Sequence, residues 1–305
     1  MTLKSDWDDI QDMDKEKITH SSSSFRRTTS ILFRNKESII GIVIVAVYVS
    51  VAVAVTVANS LKITITPYNP LEQNVGPSLG SPTMAHPFGV DFLGRDVLSR
   101  VLASIPNGLL ASFTVVAVAI SIGALIGSVA AFKGGLFDEL LMRFTDVIFA
   151  LPALVIAMVI AVALGPGLTH MMIALMVIWW PPYARVARGE ALRVSHQNYI
   201  EAAKFAGQKT GAIIVRHVLP NISITLLVYA TLDVATVVLT YAGLSYLGLS
   251  VRPPYPDLGE MISTSQDYLI IAPWLPVIPG VVIAILVIGF SLFGDGIRDV
   301  LEETL

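Results

Sequence analysis

The residues of this chain whose types and spacing could do chemistry fall in three places. Asp233 stands alone inside a long apolar run, where an acid costs a few kcal/mol unless it faces a polar cavity or a partner. It could line a substrate path and contact a cationic or hydroxylated substrate, or it could simply hydrogen-bond a nearby Thr or Tyr. Asp91 and Asp96 could be metal ligands, but no histidine or further carboxylate cluster accompanies them, and a structural turn is the better reading. The third place is a polar, basic stretch, Tyr199-Ile-Glu-Ala-Ala-Lys-Phe-Ala-Gly207 continuing to Arg216-His217-Val218-Leu219-Pro220-Asn221, with uncharged apolar runs on both sides. The five histidines (His20, His86, His170, His196, His217) do not cluster, so neither a metal site nor an ion relay is expected. With no cysteine, disulfides and thiol catalysis are excluded. No nucleophile, base and metal constellation marks a membrane-embedded enzyme.

The polar stretch reads as two short helices on an angled turn. Asn198 can N-cap the first, with Glu201 three residues on in a capping-box arrangement. Gly207 is the natural left-handed stop after it. Thr210 can cap the second, and Pro220 opens the next apolar run at a helix start, where a missing N–H costs nothing. Held at a membrane surface, such a pair is a docking device, although propensity alone would leave it an ordinary cytoplasmic loop.

The elements that must position these residues are membrane helices. The chain is 54% hydrophobic and 14% charged, with mean hydropathy +0.72, far from a soluble domain's charge fraction. A net charge of -3 does not imply nucleic acid as a partner. Residues 1–38 are charged, then Ser-rich, and read as a flexible cytoplasmic tail with a basic anchor at its membrane end. That polar leader is too long for a signal peptide. Residues 39–58 carry no charge and, at 1.5 Å rise, span about 30 Å, one hydrocarbon core. Residues 59–104 are Pro-rich and irregular, an exterior segment. Further spans are expected at 105–132, 137–164, 169–187, 219–243 and 275–294, within a core domain of residues 105–305. Arg143 and Asp146, one turn apart, can pair. Met171, Met172 and Met176 with Trp179 and Trp180 are expected to pack within and at the end of a span, and the aromatics suit a membrane–water interface. With the N-terminus inside, 16 Lys and Arg residues fall on the inner side and only Lys62, Arg95, Arg100 and Arg252 outside, out of 20. The positive-inside rule then places both termini and the polar loop in the cytoplasm.

Glu201-Ala202-Ala203, Gly207 ten residues before His217, and Leu219-Pro220-Asn221 resemble the EAA loop of importer-type ABC transporter permeases. Gly89-Val-Asp91-Phe-Leu-Gly94-Arg95-Asp96-Val-Leu-Ser99-Arg100 resembles the signature of their dipeptide and oligopeptide subfamily. So do Leu141-Met-Arg-Phe-Thr-Asp146, Leu164-Gly-Pro-Gly167, Leu244-Ser-Tyr-Leu-Gly-Leu249, Pro273-Trp274 and Gly294-Asp-Gly-Ile-Arg298-Asp299. The resemblance runs from about residue 85 to the C-terminus. It departs at Ser104-Ile-Pro-Asn-Gly108, where the subfamily has Gly-Ala-Arg. It implies an all-α polytopic membrane protein of the type I ABC importer permease fold, with six transmembrane helices and cytoplasmic termini. It also implies a coupling loop over 190–221 that seats in a groove of an ATP-hydrolysing subunit through Glu201, Ala202, Ala203, Gly207, His217, Leu219 and Pro220. A small-residue face of Ala202, Ala203 and Ala206 would allow close approach. The implied partners are two ATP-binding subunits, a second homologous permease subunit, an extracytoplasmic substrate-binding protein and membrane lipid. ATP would be bound by those partners, so no cofactor and no catalytic residue is expected here. The implied cargo is a di- or oligopeptide, with oligosaccharides or nickel as alternatives carried by relatives. An ion-coupled secondary transporter using Asp233 as its proton site has less support, because no inverted repeat is visible.

Overall fold

A computed structural model describes residues 35–302; the N-terminal tail expected over 1–38 lies almost wholly outside the described residues. The first helix, α1 (Lys36–Ser60), is capped by Asn35, whose side chain accepts from the Glu37 N–H at 3.0 Å. A long irregular stretch leads to α2 (Val97–Lys133). Then come α3 (Gly135–Ala150), α4 (Ala153–Leu164) and α5 (Leu168–Ser195). Two short helices, α6 (Asn198–Phe205) and α7 (Thr210–Ile213), precede α8 (Leu219–Tyr246). The chain closes with α9 (Leu258–Ser265) and α10 (Trp274–Glu302). Among the described residues the only β pairing is one isolated bridge, Val90 to Asp96.

Four of the apolar stretches are helical and long enough to cross a bilayer: Lys36–Ser60, Val97–Lys133, Thr210–Tyr246 and Trp274–Asp299. A fifth is the α3–α4 pair, broken by a bend of 86°. The bend has a local cause. Pro152 disfavours helix at the residue before it, and Leu151 is accordingly extended (φ -88°, ψ 143°). Where sequence reading expected one straight span over 137–164, the structure has two helices at nearly a right angle. The span expected over 169–187 falls in α5, which is 28 residues long but contains Pro181 and Pro182 and carries Arg185, Arg188, Glu190 and Arg193 in its second half, so it is not among the helices apolar enough to cross by this measure.

The second span starts eight residues earlier than residue 105. Asp96 caps it at Val97, accepting from the Ser99 N–H (2.8 Å) and hydroxyl (2.7 Å), and Pro106 is carried inside the helix. At 37 residues, α2 is about 55 Å long, longer than a hydrocarbon core needs. The central packing is α2 against α5. A Cβ at Gly123 or Gly127 would overlap Tyr183 and Ala184 of α5, so these two glycines permit the close approach. Ala119, Ala184, Ala187 and Ala191 complete the small-residue seam, and Met171 and Leu175 are fully buried beside it. Met172 and Met176 pack against the same core. Trp179 and Trp180 pack within the span, as expected. Both are buried in the helix packing, Trp180 stacking on Phe144 of α3 with centroids 6.1 Å apart.

The pairing of Arg143 with Asp146 is also not formed. Arg143 instead reaches Glu139 across an exposed turn (3.7 Å), while Asp146 faces α5 and takes Arg185 at 2.6 Å. A stronger fork follows on α5, where Arg188 donates Nε and a terminal nitrogen to the two oxygens of Asp138, at 2.6 and 2.5 Å. α1 lies on α10 through Gly41, Gly289 and Gly296, with the Tyr48 hydroxyl donating to the Val282 carbonyl (2.8 Å).

The segment 61–96 is irregular, and Asp91 anchors a turn in it, as expected. Asp91 accepts from the N–H groups of Leu93 (2.8 Å) and Arg95 (3.0 Å) and from Arg95 Nε (2.6 Å). Gly94 closes the turn at φ +74°. Asp96 pairs with His86 Nδ1 at 2.9 Å. Arg100 is the largest fully buried side chain, donating to the Pro70 and Pro254 carbonyls at 3.2 and 3.3 Å. It lies 3.8 Å from Asp91 and 3.6 Å from Glu260 of α9, so one guanidinium ties together two segments about 160 residues apart in the chain. Burial pushes the Glu260 carboxyl above the usual carboxylate range, with Arg100 and Arg95 opposing.

Candidate functional site

The loop between α5 and α8 is built in two halves of different character. Its inner residues are hydrophobic anchors: Ile200, Ile213 and Val218 are all but fully buried in the main core. Its outer residues face water. Glu201, Ala202, Lys204, Phe205, Ala206 and Gly207 are exposed, and Phe205 most of all at 91%. Of the expected small-residue face, Ala202 and Ala206 point outward, whereas Ala203 turns in and is buried.

The capping differs from the sequence reading. Helix α6 begins at Asn198 with Gln197 as its N-cap, and no side chain caps it. The Gln197 carbonyl accepts from Ile200 (2.9 Å) and Glu201 (3.2 Å), which places Asn198 inside the first turn and leaves Glu201 pointing to solvent rather than closing a capping box. Thr210 is likewise the first helical residue, with Lys209 in the cap position. The C-terminal stop is as expected. Gly207 has φ +76°, its N–H bonds the Lys204 carbonyl (3.0 Å), and the Gln208 N–H reaches back to Ala203 (3.1 Å). That 6→1 and 5→2 pair is a Schellman closure, which needs the left-handed conformation a Cβ resists.

Pro220 sits in the first turn of α8, as expected, but α8 is not separate from α7. Thr210–Tyr246 is continuous, and a π turn over Ile214–Val218 precedes the proline that cannot donate to the ladder. The loop's second half is therefore rigidly joined to α8. His217 is half-buried, its Nε2 3.3 Å from Gln208 Oε1, and its carbonyl accepts from Asn221 Nδ2 at 2.7 Å. The same Asn221 amide reaches the Tyr199 hydroxyl (3.1 Å), tying α6 to the start of α8. Leu219 is half-buried and Pro220 exposed. Lys204 lies over the ring of Phe132, 5.5 Å away at the end of α2. Glu201, Ala202, Phe205, Gly207 and Pro220 are thus exposed, while Ala203 is buried and His217 half-buried. Phe205 was not singled out by sequence reading; an aromatic between Lys204 and Ala206 carries no signal until its exposure is known.

Asp233 lies elsewhere, midway along α8. Its Oδ2 accepts from Trp179 Nε1 at 2.6 Å and from the Tyr183 hydroxyl at 2.9 Å, both on α5. Tyr229, one turn away, stands edge-on to Tyr183 with centroids 5.1 Å apart. The hydrogen-bonding expectation named Thr or Tyr; the tyrosine is there, and the tryptophan was unforeseen. Among the described residues there is no group of three or more His, Cys, Asp or Glu side chains that could hold a metal ion.

The family model for the inner membrane component of binding-protein-dependent transport systems matches residues 123–305. The chain belongs to that family. Among curated relatives, the probable D,D-dipeptide transport system permease protein DdpC of Escherichia coli is 40% identical over 72% of this chain and 74% of its own length. The dipeptide transport system permease protein DppC of Alkalihalophilus pseudofirmus is 33% identical over 93% of this chain and 91% of its own. The glutathione transport system permease protein GsiD of Escherichia coli is 38% identical over 73% and 74%. In fold, the chain is similar to the inward-facing MetNI methionine ABC transporter, with a TM-score of 0.53 and 19% identity over 66% of this chain and 96% of that one. The architecture is the type I importer permease fold, and the protein is a multi-pass component of the cytoplasmic membrane.

Proposed function

We propose that this permease is one membrane subunit of an ATP-driven importer for short peptides. It supplies half of the translocation path, and a second permease chain supplies the rest. The loop 190–221 docks on one of two ATP-hydrolysing subunits, the second permease chain docks on the other, and an external binding protein delivers the cargo. Peptide specificity rests on the relatives, whose names include dipeptide, D,D-dipeptide and glutathione transport. In this reading α5 counts as the sixth span, which with α1 starting inside puts both termini in the cytoplasm, in keeping with the charge asymmetry.

The observation that carries the coupling role is the shape of α6. It is a two-turn helix pinned from behind by Ile200 and Ala203, closed by Gly207, and presenting Glu201, Ala202, Phe205 and Ala206 outward. An exposed aromatic flanked by alanines is helix-in-groove chemistry: the alanines let backbones approach and the ring fills a pocket. Because α7 runs unbroken into α8, a push on the loop is delivered to the helix that carries Asp233. ATP binding in the partners would then shift the equilibrium between inward- and outward-open states by its differential affinity for them. The test is reconstitution: purification of the tagged chain should bring down two ATP-binding polypeptides and a second permease. ATP-dependent uptake of a labelled dipeptide should then require the binding protein. Stoichiometric co-purification of ATP-binding partners with no dipeptide uptake would remove the peptide assignment and keep the importer one.

A further inference from the structure

Helix α8 has two faces. Leu226, Ala230, Val234, Val237, Tyr241 and Leu244 are buried in the protein's own core. At steps of three and four along another face run Thr225, Tyr229, Asp233, Thr236 and Thr240, none of them buried. Helical periodicity gathers these five into one stripe, about 22 Å long from first to last. A stripe of that polarity, with an acid at its centre, is expelled by hydrocarbon and demands water or a protein partner.

The carboxylate at the centre is only half used. Both bonds it accepts fall on Oδ2, and among the described residues nothing donates to Oδ1, which is not buried. Trp179 can only donate, so its indole N–H is matched to a lone pair on the acid and holds Oδ2 in place. The rings of Trp179, Tyr183 and Tyr229 stand around the same carboxylate, two of them in direct hydrogen-bond contact and the third edge-on to Tyr183. An oriented carboxylate with one oxygen unused is the arrangement that recognises an ammonium group by charge pairing, with the exposed Tyr229 ring as its aromatic neighbour.

We infer that Asp233, framed by Trp179, Tyr183 and Tyr229, is a binding point on the translocation path for a primary ammonium group of the cargo. The inference rests on the reading that the α8 stripe lines the path, and it adds what that path selects. A neutral or N-blocked cargo of the same size lacks the partner for Oδ1 and passes this point without being held.

The chain has no cysteine, so Thr236→Cys gives this subunit a single thiol one turn from Asp233. Alkylation proceeds through the thiolate, which forms in a water-accessible site and not in lipid or a dry interface. The complete complex in nanodiscs, without the binding protein, is treated with iodoacetamide, and modification of this subunit is followed by mass. Millimolar dialanine should slow the reaction at least threefold, while N-acetyl-dialanine at the same concentration should leave it unchanged. In the Asp233→Asn background the two peptides should behave alike; Asp233→Glu should keep part of the difference. Protection by N-acetyl-alanyl-lysine but not dialanine would place the recognised ammonium on a side chain rather than at the N-terminus. Equal protection, or none, by dialanine and N-acetyl-dialanine with Thr236→Cys still reactive would overturn the ammonium site and leave the path reading standing. A thiol that stays unreactive in every nucleotide state would overturn both, because the stripe would then be sealed against the second permease chain.

Discussion

The two most distinctive polar stretches of this chain are built for opposite ends. Around Asp91–Arg100 every charge is spent inside the fold: Asp91 on Arg95, Asp96 on His86 and the start of α2, Arg100 on two carbonyls, Asp91 and Glu260. Around Glu201–Gly207 the anchors are apolar and hidden, and what is left outside is unspent: an acid, an aromatic ring and two alanines. A motif that satisfies itself is holding structure, and one that stays open is waiting for another molecule. The contrast predicts that damage to the first region unfolds the protein, whereas damage to the second disconnects it.

The largest effect is expected at Arg100. Arg100→Met removes the guanidinium that reaches both Asp91 and Glu260 and leaves the buried Glu260 with only Arg95 opposing its burial, a loss of about 3 kcal/mol. Thermal unfolding of the detergent-purified chain should show a much lower midpoint, and the double variant Arg100→Met with Glu260→Gln should recover part of it. A single variant as stable as the parent would mean that the exterior network is decoration. Gly207→Val comes next. Forcing a β-branched residue into φ +76° costs roughly 1–2 kcal/mol, enough to unmake the Schellman closure but not the spans. The purified chain should keep its midpoint within a few degrees while losing co-purification of the ATP-binding partners and ATP-driven uptake. Loss of the whole fold would erase the distinction between the two regions. Smaller still is Phe205→Ala, which removes a ring that touches little of this chain. It should leave stability unchanged and weaken partner binding about tenfold, the effect of a modest interface anchor.

Much of this contrast could be read before any coordinates, and the parts that could not share a cause. The apolar runs, the turn at Asp91 and the left-handed stop at Gly207 depend on neighbours within a few residues, so sequence carried them. The Pro152 break was written in the sequence as well, but the angle it produces is not, because only packing against α5 fixes an 86° bend. The misplaced caps at Asn198 and Thr210 are shifts of one residue, decided by whether the Gln197 and Lys209 carbonyls begin the helical ladder. What sequence hid entirely were the long-range pairs. Trp179 and Asp233 are separated by 54 residues, Asp138 and Arg188 by 50, and no local pattern announces either. The pairing of Arg143 with Asp146 failed for the same reason: a partner on another helix outcompeted the one nearby. Phe205 needed exposure, which only the folded chain supplies.

The central claim is that the outward face of α6 is where this permease meets an ATP-hydrolysing subunit. The most direct measurement uses the cysteine-free chain with a photo-crosslinking residue placed at Ala202, and in a separate sample at Met84, which is fully exposed on the other polar segment. Irradiation of membranes containing the assembled complex, followed by mass spectrometry of the adducts, reports the neighbour of each position. The account predicts that position 202 crosslinks to an ATP-binding polypeptide, in a yield that changes between nucleotide-free and ATP-bound states, and that position 84 never does. An ATP-binding adduct at 84, or none at 202 in a complex that still hydrolyses ATP and transports, would contradict it.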